Sequence, residues 1–301
     1  MTFRTIETVV APAQPGSGTP TPGAYDLTTL AVVKSELTMT DTENDTILQQ
    51  YITQESDVIS RYCNRVFQVE GVQNTVWIER DPTNFMAHGP LWSLQLSRWP
   101  IPFTTSTTFT GNTHGTNVVD GISAGAIAQL KAGMMVFAGD LPTGAMVQAV
   151  NIGSGSITLS TAVSDMMTGV SFTTGISVVV TGGDDAPLTL VQGTDFMVNP
   201  TTGALLRLSS TTGQVIQWPF LPLTTIFPAG YAALPGAVQD AAIRLVTARW
   251  KQRGRDPTVK QENQPGLGGP QYWVGTIPGS RGSMPPEIAD KLDNFRVPMA
   301  A

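Results

Sequence analysis

The sequence has few of the residues that catalytic and metal sites most often use. Its 301 residues include one cysteine, Cys63, and two histidines, His88 and His114. A single cysteine excludes an intramolecular disulfide and a multi-cysteine metal site, which is typical of a chain that matures in a reducing cytosol. A Ser-His-Asp or Cys-His site would need one of the two histidines, and neither lies in a GxSxG motif or beside a candidate nucleophile. We therefore expect no enzyme activity, no cofactor and no metal.

Charge and long apolar segments are also scarce. Charged residues make up 13% of the chain, about half of the usual share. The formal net charge is −6, so no overall field attracts the chain to DNA or to an anionic membrane. No apolar stretch reaches the roughly 18 residues that a membrane span needs, and the N-terminal apolar run is too short for a secretion signal. We expect a soluble protein without a membrane partner.

Helical periodicity is present in three parts of the chain. Residues 1–24, in which Pro, Gly, Ser and Thr dominate after residue 10, are interpreted as a flexible N-terminal arm. A first helix follows this arm, a second begins near Thr42 with a capping-box spacing to Asp45, and a third follows Pro235. The apolar stripes of the three helices are Leu30, Val33 and Leu37; Ile47, Leu48, Tyr51, Ile52, Ile59 and Tyr62; and Val238, Ala241, Ala242, Leu245, Val246 and Trp250.

The segments between the helices have the pattern of strands. Short apolar runs broken by Pro-containing turns occupy about 66–101, and a hairpin pattern surrounds residues 199–203. Residues 104–185 carry five acids and one base among dense Thr, Gly and Val. Their regular turn signals predict an inserted all-β domain, either a barrel or a sandwich.

Together these patterns predict an α+β fold with a small helical core, short strands and an inserted all-β domain. The core comprises residues 25–103 and 186–254, and the insertion comprises residues 104–185. Residues 255–301 are interpreted as an extended C-terminal arm with a short helix at Glu287–Asn294.

Several segments resemble the head-tail connector, or adaptor, proteins of long-tailed bacteriophages. Tyr25–Phe67 is similar to the opening of that family, with its two helices and a closing turn at Tyr62–Phe67. The Gly89-Pro90-Leu91 turn and the hairpin in 193–208 are similar to later parts of the family pattern. The residues that match the two opening helices are Leu30, Val33, Lys34 and Leu37, and Asp45, Leu48 and Ile52.

The most specific part of the resemblance lies downstream. Ala229-Gly230-Tyr231 is followed by Leu234-Pro235 and an Ala-rich helix that ends in basic residues, and Leu292–Pro298 resembles the C-terminus of the family. The block 104–185 is absent from the short members that define the pattern. It resembles a small β-module of phage virion proteins, at Val118–Ile122, Gly133-Met134, Leu141–Gly144 and Ile157–Ser160.

The resemblance implies a structural protein of the virion neck, assembled in the host cytoplasm. Its helical connector core would form a homo-oligomeric ring, expected to be a dodecamer, beneath the portal protein. The C-terminal segment would reach onto the portal, and the other face would receive a stopper or tail-terminator protein. Double-stranded DNA would pass through the lumen without sequence-specific contact, which suits an acidic or neutral wall because a basic wall would retain the phosphates.

Candidate partner-binding residues lie toward the C-terminus. From Arg244 to Lys260 there are six basic residues and one acid, which fits either cations at a helix C-terminus or a patch for an acidic partner. Large apolar residues in the following Pro/Gly-rich sequence either contact a partner or pack on their own domain. The candidates for portal binding are Arg255, Lys260, Tyr272, Trp273, Leu292, Phe295, Arg296, Val297 and Met299.

Two other functions remain open. The chain could be a β-rich receptor- or carbohydrate-binding component of a virion, in which the inserted domain binds and the helices are a mount. A hydrolase is the weaker alternative, since carboxylate pairs can always be assembled from 23 acids. Asp184-Asp185 could bind a cation, but a solvated turn needs fewer assumptions.

Overall fold

The computed structural model describes residues 2–16, 18–79, 91–139, 141–181, 187–219, 221–253 and 284–297. The helices are α1 (Leu30–Glu36), α2 (Asp45–Cys63), α3 (Ala124–Ile127), α4 (Gly236–Lys251) and α5 (Pro286–Leu292), and a 3₁₀ turn follows at Asp293–Phe295. The strands are β1 (Thr2–Ala11), β2 (Glu70–Glu79), β3 (Ser93–Gln95), β4 (Thr108–His114), β5 (Val118–Asp120), β6 (Val136–Phe137), β7 (Val147–Asn151), β8 (Ser156–Leu159), β9 (Met166–Thr174), β10 (Ser177–Val180), β11 (Leu188–Leu190), β12 (Phe196–Val198), β13 (Ala204–Leu208), β14 (Val215–Ile216) and β15 (Leu223–Ala229). The fold is therefore a mixture of helices and strands.

The chain divides into two compact units. A β unit contains Met1–Gln14 and Gln68–Ala233, and a helical unit contains Pro15–Phe67 and Leu234–Ala301. The helical core predicted over 25–103 and 186–254 contains fewer residues than expected. Its helices lie in the helical unit, whereas its strands fold with the β unit. The short strands there pair with one another in sheets, whereas the helices pack on helices.

The helical unit is built on the predicted apolar stripes. The Thr29 side chain caps α1 by accepting a hydrogen bond from the Val32 amide at 3.4 Å. Four fully buried residues from three helices form one core: Val33, Leu48, Ile52 and Val246. Burial of such a side chain contributes about 1.5–3 kcal/mol, so the shared core explains why α1, α2 and α4 pack together. The helices predicted at these three places are confirmed.

The two ends of α2 have different causes. The predicted start near Thr42 is wrong, because the helix begins at Asp45 and its carboxylate forms an ion pair with Lys34 at 2.7 Å instead of completing a capping box. The last helical residue is Cys63, and the C-cap residue Asn64 has a left-handed φ of 49°. Asn tolerates this conformation better than most residues, and the Arg65 amide then bonds back to the Ser60 carbonyl at 3.0 Å.

A five-stranded antiparallel sheet organises the β unit. Its strand order is β1-β2-β15-β10-β11, and a smaller sheet of β12, β13, β14 and β3 packs on it through a shared apolar core. The hairpin predicted around 199–203 is confirmed as the β12–β13 pair. The flexible arm predicted over 1–24 is corrected at its start, because Thr2–Ala11 pairs with β2 over nearly its whole length.

The remaining strands of the β unit form a six-stranded antiparallel sheet with the order β6-β9-β4-β5-β8-β7. Residues beside the two end strands bond to each other, since the Val136 amide donates to Ala145 at 2.9 Å and the Val147 amide donates to Met134 at 2.9 Å. The sheet therefore curls until its ends meet. It encloses a separate apolar core that includes Phe109, Ile157 and Phe172.

The boundaries of this curled sheet differ from the predicted insertion. β10, inside the predicted block 104–185, belongs to the five-stranded sheet, so the block ends before Ser177. Gln192 contacts both ends of the shortened block: its amide donates to the Thr104 carbonyl at 2.6 Å and accepts from the Ile176 amide at 3.1 Å. We name residues 104–176 the β module. It also contains the short helix α3, so it is not purely β.

Candidate interaction surface at the C-terminal segment

Residues 284–297 fold back onto the helical unit. Pro285 precedes α5 and Pro286 begins it, a position where a missing backbone N–H has no cost. Ile288 and Leu292 lie one turn apart and are buried, with exposed fractions of 4% and 0%. Apolar burial along one side therefore attaches α5 to the unit.

Charged groups fix the same helix from its exposed side. Lys291 forms an ion pair with Asp240 of α4, and Asp240 also accepts from Arg244 at 3.0 Å. The hydrogen bond from Lys291 holds the pKa of the Asp240 carboxyl below its usual value, and Arg244 acts in the same direction. This cluster is largely solvent-exposed, so it contributes less to stability than to the orientation of α5.

Tyr62, at the end of α2, contacts the residues that follow α5. Its hydroxyl donates to Asp293 Oδ1 at 2.7 Å, and the Arg296 guanidinium lies 5.4 Å from its ring centre. Burial, followed by the hydrogen bond to Asp293, raises the pKa of Tyr62 to about 12. The folded surroundings of Tyr62 therefore favour its protonated, neutral form.

The backbone beyond Asp293 is attached next to Cys63. The Val297 amide donates to the Cys63 carbonyl at 2.9 Å, and the Phe295 ring meets Phe67 edge-on with 6.2 Å between ring centres. The Cys63 side chain is fully buried, and this burial raises the pKa of the thiol to about 11. The thiol is therefore held in its neutral form.

These contacts change the list of candidate partner residues. The assignment of Leu292 as a portal-binding residue is corrected, because Leu292 is fully buried in its own unit and packs α5 against it. Phe295, Arg296 and Val297 are half-buried beside it and keep an accessible part. The other candidates, Arg255, Lys260, Tyr272, Trp273 and Met299, lie outside the described residues, as do His88 and Asp184-Asp185.

The basic end of α4 makes contacts within the helical unit. Arg249 pairs with Glu55 of α2 at 2.7 Å and lies 4.4 Å from the Tyr51 ring centre. Arg253 donates to Asn44 at 2.9 Å and stacks on Trp250. These cations link α4 to α2, in addition to any favourable interaction with the end of the helix.

Three residues of this surface were not singled out as functional candidates by the sequence. Tyr62 entered the apolar stripe of α2 although its hydroxyl is used, and Asp240 and Asp293 carry no motif. A pairing between residues 231 positions apart, as for Tyr62 and Asp293, leaves no local pattern. Asp293 and Arg296 come close to Tyr62, at the end of α2, only because α5 packs on the helical unit.

His114 lies in a different place, on the β module. Its Nε2 is 2.9 Å from Asp120 Oδ2, and Asn112 donates to the other carboxylate oxygen at 3.1 Å. The hydrogen bond from His114, followed by that from Asn112, lowers the pKa of Asp120. Across the described ranges, no three His, Cys, Asp or Glu side chains are grouped so that they could hold a metal ion.

Comparisons with known proteins add little to this geometry. No family model matches the chain, and no curated protein matches it. A solved structure of the neck of an empty GTA particle, computed with C6 symmetry, is similar over 100% of this chain and 98% of that one, with 11% identity and a TM-score of 0.31. At that TM-score the likeness carries no argument about function. In the part of the chain that the structure describes, no helix is both long and apolar enough to cross a membrane.

Proposed function

We propose that this protein is a structural subunit of a bacteriophage neck, a head-to-tail adaptor whose copies form a ring between the portal and the stopper or tail. The observation that carries the proposal is the composition of the helical unit. Three of the segments that resemble adaptor proteins fold in this unit: Tyr25–Phe67, the Ala-rich helix after Pro235 and the end at Leu292–Val297. The first two share one apolar core. A chance resemblance gives no reason for segments so far apart in sequence to share one core.

The adaptor role assigns separate tasks to the parts of the chain. The helical unit serves as the connector core, the β module is an outward domain of barrel type, and DNA passes through the lumen of a ring expected to be dodecameric. The overall charge of −6 is compatible with passage of DNA, because a strongly basic wall would bind phosphates. The chain acts by assembly and has no catalytic step.

Portal binding is assigned to the C-terminal segment. Phe295, Arg296 and Val297 keep accessible surface beside the packed helix α5, and the chain continues past them with Met299. Arg255, Lys260, Tyr272 and Trp273 remain candidates from the sequence. α5 then serves as the anchor that holds the binding residues at one place on the helical unit.

Native mass spectrometry of the full chain, alone and with its portal protein, tests the adaptor role. We expect a ring, or a monomer that assembles on the portal. A truncation after Val297 leaves α5 packed and removes Met299, one of the portal-binding candidates, so it should weaken portal binding. Lys131→Glu, an exposed charge change on the β module, is the control and should bind normally. A stable trimer, or a monomer indifferent to the portal, would contradict the proposal.

A second function is favoured by the β module itself. The β module has its own core and contains only three acids and one base. Its polar side chains are therefore mainly Thr, Ser and Asn, which can form hydrogen bonds to a neutral ligand. This is the receptor- or carbohydrate-binding alternative. Because Gln192 holds both ends of the module, residues 104–176 can be replaced by a short Gly-Ser linker. An adaptor should still form rings after this replacement, whereas a receptor-binding protein should lose binding to cells or glycans.

A further inference from the structure

In the part of the chain that the structure describes, the five-stranded sheet of the β unit ends in two open edges. β1 lies at one end of the strand order and β11 at the other. Within the described ranges, no strand pairs with the outer side of either. Each edge therefore presents backbone donors and acceptors that another strand can use.

β1 is open on its faces as well as on its edge. All residues from Arg4 to Val9 are exposed, including those that point to the core side of the sheet. Ile6 is 45% exposed and Val9 is 38% exposed. Between Arg4 and Ala11, coverage is limited to the end of the strand, where Val10 and Ala11 meet an apolar cluster of the same unit. A long strand rich in Thr, Ile and Val is thus held mainly by its pairing with β2.

The charged residues of β1 do not prevent another strand from pairing with this edge. Natural edge strands often carry charges or Pro that prevent pairing with another chain. Here the Arg4 guanidinium lies 5.9 Å from the ring centre of Trp77 on the neighbouring strand. Glu7 Oε1 accepts from Arg98 Nε at 2.7 Å, and Arg98 also pairs with Glu70. Both charges are engaged by their own unit, so Thr, Ile and Val remain for a partner.

The opposite edge, β11, is uncharged and largely exposed. β11 has no charged residue, and Leu188 is 56% exposed. One row of paired residues crosses the whole sheet and begins at Ile6 and ends at Thr189, passing through Thr75, Thr224 and Val179. Since all four strand pairs are antiparallel, β1 and β11 run in the same direction.

From these edges we infer a contact between copies of this chain: β1 of one copy adds to β11 of the next as a parallel strand pair. Each contact uses one edge of each type, which makes it head-to-tail, and head-to-tail contacts close into rings when the rotation permits. The inference rests on the proposed ring and names one surface that forms it. With the row of paired residues continued unshifted into the next copy, Ile6 of one copy lies beside Thr189 of its neighbour, within disulfide reach.

Cysteine cross-linking of the full-length protein tests the pairing. Ile6→Cys and Thr189→Cys are made separately and together, and the buried Cys63 thiol does not compete. After oxidation of the assembled protein, a mixture of the two single variants should give covalent dimers of unlike chains. The double variant should give a ladder that ends at the ring. Each single variant alone should give none.

Other results would overturn the inference. Dimers of Ile6→Cys alone would mean a twofold β1–β1 contact. An absence of cross-links while native mass spectrometry still shows rings would mean that the ring uses another surface, and the adaptor proposal would survive. Wild-type protein that forms no ring with or without portal, yet cross-links from the mixture, would preserve the strand contact and contradict the adaptor proposal.

Charge substitution at the edge provides a second test. Ile6→Lys should raise the concentration needed for half-assembly at least tenfold, because it adds an uncompensated charge to an edge free of such guards. Ile152→Lys is the matched control: its side chain is 69% exposed on a turn of the β module, and assembly should be unchanged. Equal assembly of the two variants would contradict the role of β1.

Discussion

At Gly230 two backbone segments of the β unit approach each other without room for a side chain. Its φ is +129°, and a Cβ built there would lie 2.9 Å from Val69 Cα and closer still to the Gln68 carbonyl. The Gly230 amide also donates to the Pro100 carbonyl at 2.9 Å. This glycine is the centre of the Ala-Gly-Tyr motif that carries the adaptor resemblance, and the structure gives its physical reason: the chain must pass against the start of β2 there.

Gly230→Ala should lower the free energy of unfolding by about 2–3 kcal/mol, because it adds overpacking against backbone to an unfavourable φ. Gly213→Ala is the matched control, since Gly213 also has a positive φ, +67°, but faces open space. That variant should cost about 1 kcal/mol. Urea unfolding of both variants measures the difference. Equal losses would mean that the close approach at Gly230 relaxes freely.

The burial of Leu292 corrects its assignment as a portal-binding residue. Leu292→Ala should lower the free energy of unfolding of the helical unit by about 2–5 kcal/mol, through lost burial and the cavity left behind. Ile152→Ala removes a similar side chain from an exposed turn and should cost less than about 0.5 kcal/mol. Chemical denaturation followed by circular dichroism measures both. A Leu292→Ala protein as stable as the wild type would show that α5 is not packed as described.

At the scale of elements, α5 and the turn after it are attached by a mixture of apolar and polar contacts with opposite pH responses. The pKa of Asp240 is lowered, so its contribution is present above the usual pKa of an aspartate and is lost as the pH falls through the folded value. The pKa values of Tyr62 and Cys63 are raised to about 12 and about 11, so their contributions are present below the ordinary values and are lost as the pH rises.

We therefore expect the stability of the helical unit to fall as the pH rises from about 9 toward 12, the window between the ordinary values of Cys63 and Tyr62 and their raised values. The double substitution Tyr62→Phe with Cys63→Ala should flatten this slope, because neither new side chain ionises. Thermal unfolding between pH 8 and pH 11 is the measurement. A slope that is unchanged in the double variant would place the alkaline sensitivity elsewhere.

On the scale of the whole molecule, the apolar cores of the β module, the helical unit and the five-stranded sheet differ in how much of the chain they need. The β module builds its core from its own residues up to Phe172 and from the adjoining Phe103, which is one nearly continuous stretch. The helical core needs Val246 of α4 as well as residues of α1 and α2, which are about 200 positions earlier in the chain. The core of the five-stranded sheet likewise combines β2 with β15. Only the β module is local in sequence.

The β module should therefore fold by itself. A fragment of residues 103–176 is expected to show a cooperative thermal transition and dispersed amide resonances, because its core and all six of its strands lie inside the fragment. A fragment of residues 25–67 is the contrast, and it should remain largely unfolded without Val246 of α4. A folded helical fragment, or an unfolded module, would contradict this division.

The sequence by itself determined the helices α1, α2 and α4, the hairpin of β12 and β13 and the distinct composition of the β module, because 3.6-residue periodicity, turn residues and local composition are short-range signals. Only the tertiary structure decided that residues 2–11 form a strand, that β10 leaves the β module and that Leu292 is buried. Each of these depends on a partner far away in the chain, β2, β15 and α4, and a single sequence carries no local record of such pairing.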